Sequence, residues 1–199
     1  MENVVRAFIA VELSPILQDK LRHLSGELRQ KLSDVPIRWI AVENIHLTLK
    51  FLGDVSVSNL DLLYKILQVE AAERSSFEIS VGGMGAFPNS HRPRVVWVGV
   101  EAPAELNILH HNIEKETARL GYTSEKHRFS PHLTLGRVAR NATPAHIAAL
   151  REVLQKSKVG FLGVTSVDAV HLFKSDLRPG GAVYTCLFSA PLGKLERYL

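Results

Sequence analysis

A tetrapeptide occurs twice in this chain of 199 residues, as His46-Leu47-Thr48-Leu49 and, 86 residues later, as His132-Leu133-Thr134-Leu135. The same offset relates residues 77–84 to residues 163–170 and Phe87 to Phe173, and an offset of 89 relates Phe8 to Trp97. Similarity at a fixed spacing is the signature of a duplicated structural unit. The sequence therefore predicts two similar lobes.

Each copy reads as an alternation of strands and helices. We predict strands near residues 4–13, 45–52 and 77–84 in the first copy and near residues 95–100, 132–138, 164–173 and 183–189 in the second. Helices with one apolar stripe begin at Ser14-Pro15, Ser58, Pro103 and Thr143-Pro144, where a cap residue or proline opens the first turn. Because no Pro- or Ser-rich linker separates the copies, we predict one bilobal domain over residues 1–199, with approximate halves 1–90 and 91–199.

Composition favours a globular chain with a mild preference for anionic partners. The chain is 46% hydrophobic and 22% charged, which excludes disorder, and its net charge is +4 with a pI near 9.3. Many basic proteins bind no nucleic acid, so the charge is equally consistent with an uninvolved surface. Its apolar runs are too short to cross a membrane and Met1-Glu2-Asn3 lacks a signal pattern, so we expect a soluble cytoplasmic protein. The single cysteine, Cys186, cannot form an internal disulfide and is expected to be buried filler.

If each tetrapeptide lies on a strand, its polar and apolar residues point to opposite faces. Side chains two residues apart share a face of a strand, so each histidine lies beside its threonine while the leucines face the core. A two-fold relation between the lobes would place the two His-Thr pairs across one cleft. Two imidazoles with reference pKa values near 6.5 can supply one base and one acid, and hydroxyls can donate to phosphoryl oxygens.

Structural explanations compete with this chemistry. A lone strand histidine is more often a hydrogen-bonded or surface residue than a catalyst. Core packing explains leucines at matched positions, but it gives no reason for histidine and threonine on the other face of both copies. A zinc site needs about three protein ligands, and neither copy has His-x-x-x-His or a carboxylate at ligand spacing. We expect no metal and no cofactor.

Residues 43–53 (ENIHLTLKFLG) and 129–137 (FSPHLTLGR) resemble the two His-x-Thr-x motifs of the two-histidine phosphoesterases. The resemblance is nearest to the bacterial and archaeal RNA 2′,3′-cyclic phosphodiesterases, formerly called 2′-5′ RNA ligases, and it extends over nearly the whole chain. It implies an α+β fold with two pseudo-symmetric lobes, antiparallel sheets lining a central cleft and helices on the outside. It also implies metal-independent hydrolysis of 2′,3′-cyclic phosphate ends of RNA, or of related nucleotides, to 2′-phosphomonoesters.

Carried over position by position, the resemblance implies that His132 is the proton acceptor and His46 the proton donor. Thr48 and Thr134 would bind the phosphate, and Arg137 matches a substrate-binding arginine of the family. Strict alternation places Arg137 on the face opposite His132, so a bulge, a twist or its long side chain must bring it to the cleft.

Alternatives remain open at this point. The chain is also compatible with a non-catalytic module that binds RNA ends or nucleotides, and with a 2′-5′ RNA ligase that runs the reaction in reverse. Phe8 and Trp97 are candidates for stacking on a base, but strand aromatics more often belong to the core. The basic stretches His91-Arg92-Pro93-Arg94 and Lys126-His127-Arg128 fit an RNA backbone or a solvated loop equally well. The oligomeric state is open, with a monomer favoured.

Overall fold

The repeat of the sequence becomes a repeat of strands in the computed structural model, which describes residues 4–179 and 181–193. The strands are β1 (Val4–Val11), β2 (Ile37–Trp39), β3 (Leu47–Ser56), β4 (Phe77–Phe87), β5 (Val95–Glu101), β6 (His132–Val138), β7 (Phe161–Val167), β8 (Ala169–Arg178) and β9 (Gly181–Pro191). The helices are α1 (Pro15–Lys31), α2 (Leu60–Ala72), α3 (Ala104–Arg119) and α4 (Pro144–Lys156). Within the described residues, no helix combines the length and apolar character needed to cross a membrane.

Local sequence explains where the helices begin. The Ser14 side chain accepts a hydrogen bond from the Leu17 amide and Pro15 fills the first turn of α1. Thr143 and His146 form a capping box at the start of α4, also with a first-turn proline. The start of α2 differs from the prediction, because a 3-10 turn at Val57–Asn59 precedes it and the α-helix begins at Leu60.

All strand pairs are antiparallel and join into one sheet, in the order β7-β4-β5-β6-β3-β1-β8-β9, with β2 added beside β6. The predicted pair of sheets is therefore continuous, joined where Leu47 of β3 pairs with Leu133 of β6. Leucines of three helices share the core with this sheet: Leu17 and Leu21 of α1, Leu63 and Leu67 of α2, and Leu106 and Leu109 of α3. This is the expected α+β duplication.

The two halves of the chain exchange strands. Strand β4 follows the first motif in sequence but pairs with β5 and β7, whereas β8 follows the second motif and pairs with β1. Each end of the sheet thus contains strands from both repeats. The division into one bilobal domain with halves at 1–90 and 91–199 stays a prediction, and the interlocked strands support treating the chain as one unit.

Two further expectations are wrong. The expected strand at residues 164–173 is two strands, β7 and β8, which separate at Asp168; there Ser166 Oγ donates to the Asp168 carboxylate at 2.6 Å, and the chain passes from one end of the sheet to the other. Cys186 is exposed rather than buried, because β9 is the last strand of the sheet on its side. The three-residue strand β2 was not predicted, since it is too short to show a period.

Candidate active site

The junction of β3 and β6 brings the two motifs together. His46 directly precedes β3 and His132 is the first residue of β6. Extending the Leu47–Leu133 pairing by one residue in each direction sets His46 opposite Thr134 and Thr48 opposite His132. In this extended register the two histidines are diagonal neighbours, for which separations of about 7–8 Å, and somewhat less between the Cβ atoms, are usual in antiparallel pairs. That spacing leaves room for one phosphoryl group between the rings.

The predicted division between core-facing leucines and a partly exposed polar face is confirmed. All four motif leucines are buried, whereas both histidines and both threonines remain partly exposed. The core therefore fixes the strands through the leucines, and the polar pairs stay on the face that the helices do not cover.

The two imidazoles are oriented by the same hydrogen bond. His46 Nδ1 lies 2.8 Å from the carbonyl oxygen of Asn44, and His132 Nδ1 lies 2.7 Å from that of Ser130. Asn44 and Ser130 are themselves related by the 86-residue offset. A carbonyl oxygen only accepts, so Nδ1 carries the proton in both neutral rings and Nε2 is left to accept or, when protonated, donate a proton.

Matched aromatic side chains support both rings. Phe8 stacks on His46 with centroids 4.6 Å apart, and Phe173 lies beside both rings, 5.4 Å from Phe8 and 6.4 Å from His46. Phe87 meets His132 edge to face at 4.8 Å and contacts Trp97 at 5.1 Å. These are the residues that the repeat pairs, Phe8 with Trp97 and Phe87 with Phe173. Phe8 is buried, so it supports His46 as part of the core and is not an open platform for a base.

Burial changes the pKa of the His46 ring. Burial lowers the pKa of His46 to about 4, and the hydrogen bond to the Asn44 carbonyl opposes this only in part. In the free protein at neutral pH, the His46 ring is therefore neutral. An anion placed against it would favour the protonated form and raise its pKa.

Sequence reasoning missed Tyr184. Its ring packs edge to face on Phe8 at 4.9 Å and on His46 at 5.3 Å, and it lines a small cavity beside His46 together with Glu12, Asn44 and Phe173. Tyr184 lies on β9, far from both motifs in sequence, and the 86-residue offset relates it to Val98 and not to another aromatic residue. By contrast, the repeated pair Phe87 and Phe173 was visible at the motif offset and could have been assigned to the site.

A β-bulge in β6 brings Arg137 to the face of His132, although strict alternation would place it on the opposite face. Trp97 pairs with Thr134 and Val96 with Gly136, so Leu135 is the extra residue in β6. The bulge shifts the alternation, and Leu135 and Gly136 are both buried while Arg137 is exposed on the face of His132 and Thr134. The first motif has the same bulge at Leu49, where Ala10 pairs with Thr48 and Ile9 with Lys50.

The bulge at Leu49 also directs Lys50 into the core, which the sequence did not predict. Lys50 is fully buried, and its Nζ lies 2.8 Å from the Glu114 carboxylate on α3 and 2.6 Å from the Thr123 carbonyl oxygen. The same Glu114 oxygen accepts a hydrogen bond from the Glu125 amide. This ion pair therefore ties the strand of the first motif to the segment that leads into the second.

A two-lobed antiparallel fold with one oriented histidine and one threonine from each repeat defines a two-histidine phosphoesterase. The family model of the LigT-like phosphoesterases matches the chain twice, over residues 11–97 and 98–184. The chain belongs to this family.

Named relatives agree with the family. The RNA 2′,3′-cyclic phosphodiesterase of Methanothermobacter thermautotrophicus is 36% identical over 181 residues, which cover 91% of this chain and 95% of that protein. Among solved structures, TT0787 of Thermus thermophilus superposes with a TM-score of 0.79 at 25% identity, covering 94% of this chain and 98% of the other. Escherichia coli LigT in complex with phosphate gives a TM-score of 0.69 at 26% identity, covering 96% and 99%.

Proposed function

We propose that the protein hydrolyses 2′,3′-cyclic phosphate ends of RNA to 2′-phosphomonoesters, using its two motif histidines and no metal ion. The observation that carries this proposal is the matched orientation of the two rings. Each Nδ1 donates to the carbonyl two residues earlier, and the strands that carry the rings meet at a single pair. The shared name of the family's curated relatives supplies the substrate class.

In the proposed step, His132 Nε2 accepts a proton from water as the water oxygen attacks phosphorus. The bond from phosphorus to the 3′ oxygen breaks, and His46 Nε2 donates a proton to that departing oxygen. The phosphate stays on the 2′ oxygen. One histidine must start neutral and the other charged, which two imidazoles across one phosphate can satisfy near neutral pH.

The low pKa of His46 makes its role depend on the substrate. A pKa of about 4 leaves the ring almost wholly neutral in the free protein at pH 7. The negative charge of a bound phosphodiester opposes the desolvation that lowers this pKa. His46 therefore becomes protonated when the substrate binds, and this is the proton that it donates. The acid is therefore assembled only when a phosphate occupies the cleft.

The hydroxyl and guanidinium groups have a complementary role. In the extended register, Thr48 lies opposite His132 and Thr134 lies opposite His46. The two threonine hydroxyls can donate hydrogen bonds to the non-bridging oxygens of the phosphate. Arg137, on the same face beyond the bulge, adds positive charge for the substrate.

We also propose that the protein acts as a monomer, because one chain supplies both histidines. We propose further that it acts in the cytoplasm, where a lone exposed cysteine stays reduced.

Incubation with an RNA oligonucleotide that ends in a 2′,3′-cyclic phosphate, in the presence of a chelator, tests the proposed function. We expect conversion to a 2′-phosphate end, because the histidines carry the proton transfers without a metal. Product ends are separated chromatographically and assigned by phosphorus NMR. Binding of the oligonucleotide without turnover would instead indicate a non-catalytic module. A product that ends in a 3′-phosphate would contradict the assignment of the 3′ oxygen as the leaving group.

A further inference from the structure

The two carbonyl groups that orient the motif histidines are held in different ways. The Asn44 carbonyl lies at the end of a 3-10 turn, Val42–Asn44, and the next residue, Ile45, is buried. The side chain of Asn44 also donates a hydrogen bond to the Ala182 carbonyl at 3.1 Å. Local structure and this hydrogen bond therefore fix the carbonyl that faces His46.

The Ser130 carbonyl, by contrast, lies in a segment without regular structure. Residues 120–131 connect α3 to β6 and contain neither helix nor strand. After Ser130, the Pro131 carbonyl accepts a hydrogen bond from the Val100 amide at 3.2 Å. Before Ser130, residues 126–129 make no hydrogen bond within the described ranges 4–179 and 181–193. Side-chain packing must therefore hold this side of the segment.

That packing is a stack of Phe129 on His110 of α3. The two rings are nearly parallel, at an interplanar angle of 11°, and their centroids are 3.8 Å apart. Burial lowers the pKa of His110, so at neutral pH this ring is uncharged and presents an aromatic face. Aromatic pairs contribute more than the area that they bury. The stack therefore fixes Phe129, the chain neighbour of Ser130.

Helix α3 is itself fixed against the strand of the first motif. Leu109, the neighbour of His110, is fully buried in the core. Glu114, one turn after His110, pairs with the buried Lys50 of β3 at 2.8 Å. The His110 ring thus lies on a firmly packed helix, and through Phe129 it relates the segment before the second motif to β3.

We propose that His110 is a positioning residue for His132 and that it acts through Phe129. The stack holds the Ser130 carbonyl where it accepts the proton of His132 Nδ1 at 2.7 Å, which leaves Nε2 free to accept a proton from the attacking water. The first motif lacks this device, because the 86-residue offset relates Phe129 to Glu43. The catalytic consequence rests on the proposed function, whereas the orientation of His132 is a property of the free protein.

NMR of the imidazole nitrogens in the free protein tests this role, at about pH 9, above the usual pKa of histidine. In the wild type we expect Nδ1 to carry the proton in both motif rings, because both face a carbonyl. In His110→Ala we expect His132 to show a mixture of tautomers, whereas His46 keeps the wild-type pattern. His46 is thus a reference within the same molecule, since a general loss of stability would not alter one ring alone.

Three further variants assign the effect to the stack. His110→Phe keeps an aromatic ring against Phe129 and should restore the wild-type tautomer of His132. Phe129→Leu removes the stack from the other side while it keeps apolar packing, and it should give the same mixture as His110→Ala. His111→Ala removes the exposed neighbour of His110 on α3, so this matched control should change neither motif ring.

Hydrolysis of the cyclic phosphate oligonucleotide completes the test. We expect kcat of His110→Ala to fall about tenfold with KM within about twofold, because a misplaced base loses part of its contribution to the rate. An unchanged His132 tautomer in His110→Ala would overturn the role, as would an equal change in both rings, no restoration by His110→Phe, or a mixed tautomer with unchanged kcat. If the wild type shows the expected tautomers but cleaves nothing, it is the proposed function that fails.

Discussion

Replacement of either motif histidine with alanine is expected to lower the turnover of a 2′,3′-cyclic phosphate oligonucleotide by about 10²- to 10⁴-fold, the usual contribution of a positioned acid or base. Both rings are held with Nδ1 on a backbone carbonyl, and within residues 4–179 and 181–193 neither Nε2 makes a hydrogen bond. Initial rates at saturating substrate measure the effect. His23→Ala is the control, because that exposed histidine of α1 does not line the cavity beside His46, and the turnover of this variant should stay within about twofold of the wild type.

His46→Ala also removes a ring that packs on Phe8 and Tyr184, so a loss of rate needs a second variant. The amide of asparagine can donate to the Asn44 carbonyl as Nδ1 does, but it cannot take up or release a proton at neutral pH. His46→Asn and His132→Asn are therefore expected to be folded, by circular dichroism, and as slow as the alanine variants. A loss below about tenfold in any of the folded variants would remove that histidine from the proposed step.

Lys50→Met is expected to reduce the free energy of unfolding by about 3–5 kcal/mol, since it leaves the Glu114 carboxylate almost buried without its charge partner. The substitution also removes the hydrogen bond to the Thr123 carbonyl. Urea unfolding measures the loss. Lys31→Met is the matched control, because Lys31 and Glu27 form an exposed pair at 3.8 Å, and it should leave the unfolding midpoint unchanged within error.

A double variant separates the buried charge from the lost packing. Lys50→Met with Glu114→Gln removes both charges, and it should be more stable than Lys50→Met alone because no uncompensated charge remains in the core. A loss of less than about 1 kcal/mol in Lys50→Met would contradict the importance of this ion pair. So would a double variant that is no more stable than the single one.

The sequence predicted the parts of the site that follow from local periodicity. The leucines of each motif had to face a core, so the histidine and threonine of each motif had to share the other face, and the duplication indicated a second copy. The burial of Leu47 and Leu133 and the partial exposure of the polar pairs confirm this division. Their convergence depends on the pairing of β3 with β6, which the repeat suggested through its two-fold relation.

The features of the site that the sequence did not predict depend on strand register and on contacts between residues that are distant in sequence. A bulge at Leu135 cannot be deduced from alternation, so the side of Arg137 was left open until the pairing with β5 was known. Lysine is rarely buried, and Lys50 is held in the core by the Glu114 carboxylate and the Thr123 carbonyl oxygen, which are 64 and 73 residues away. Tyr184 reaches His46 because β8 carries β9 to the end of the sheet that contains β1, an exchange between repeats that no local pattern shows.

The central claim is that one phosphate lies between His46 and His132, and a titration of their imidazole NMR signals with adenosine 2′-monophosphate measures this most directly. In the free protein, the pKa of His46 should be near 4, as its burial dictates. Nucleotide binding should raise that pKa, because the phosphate anion stabilises the charged ring. The signals of both rings should shift with the same midpoint and a stoichiometry of one. Two different midpoints, or a response from only one ring, would contradict the account.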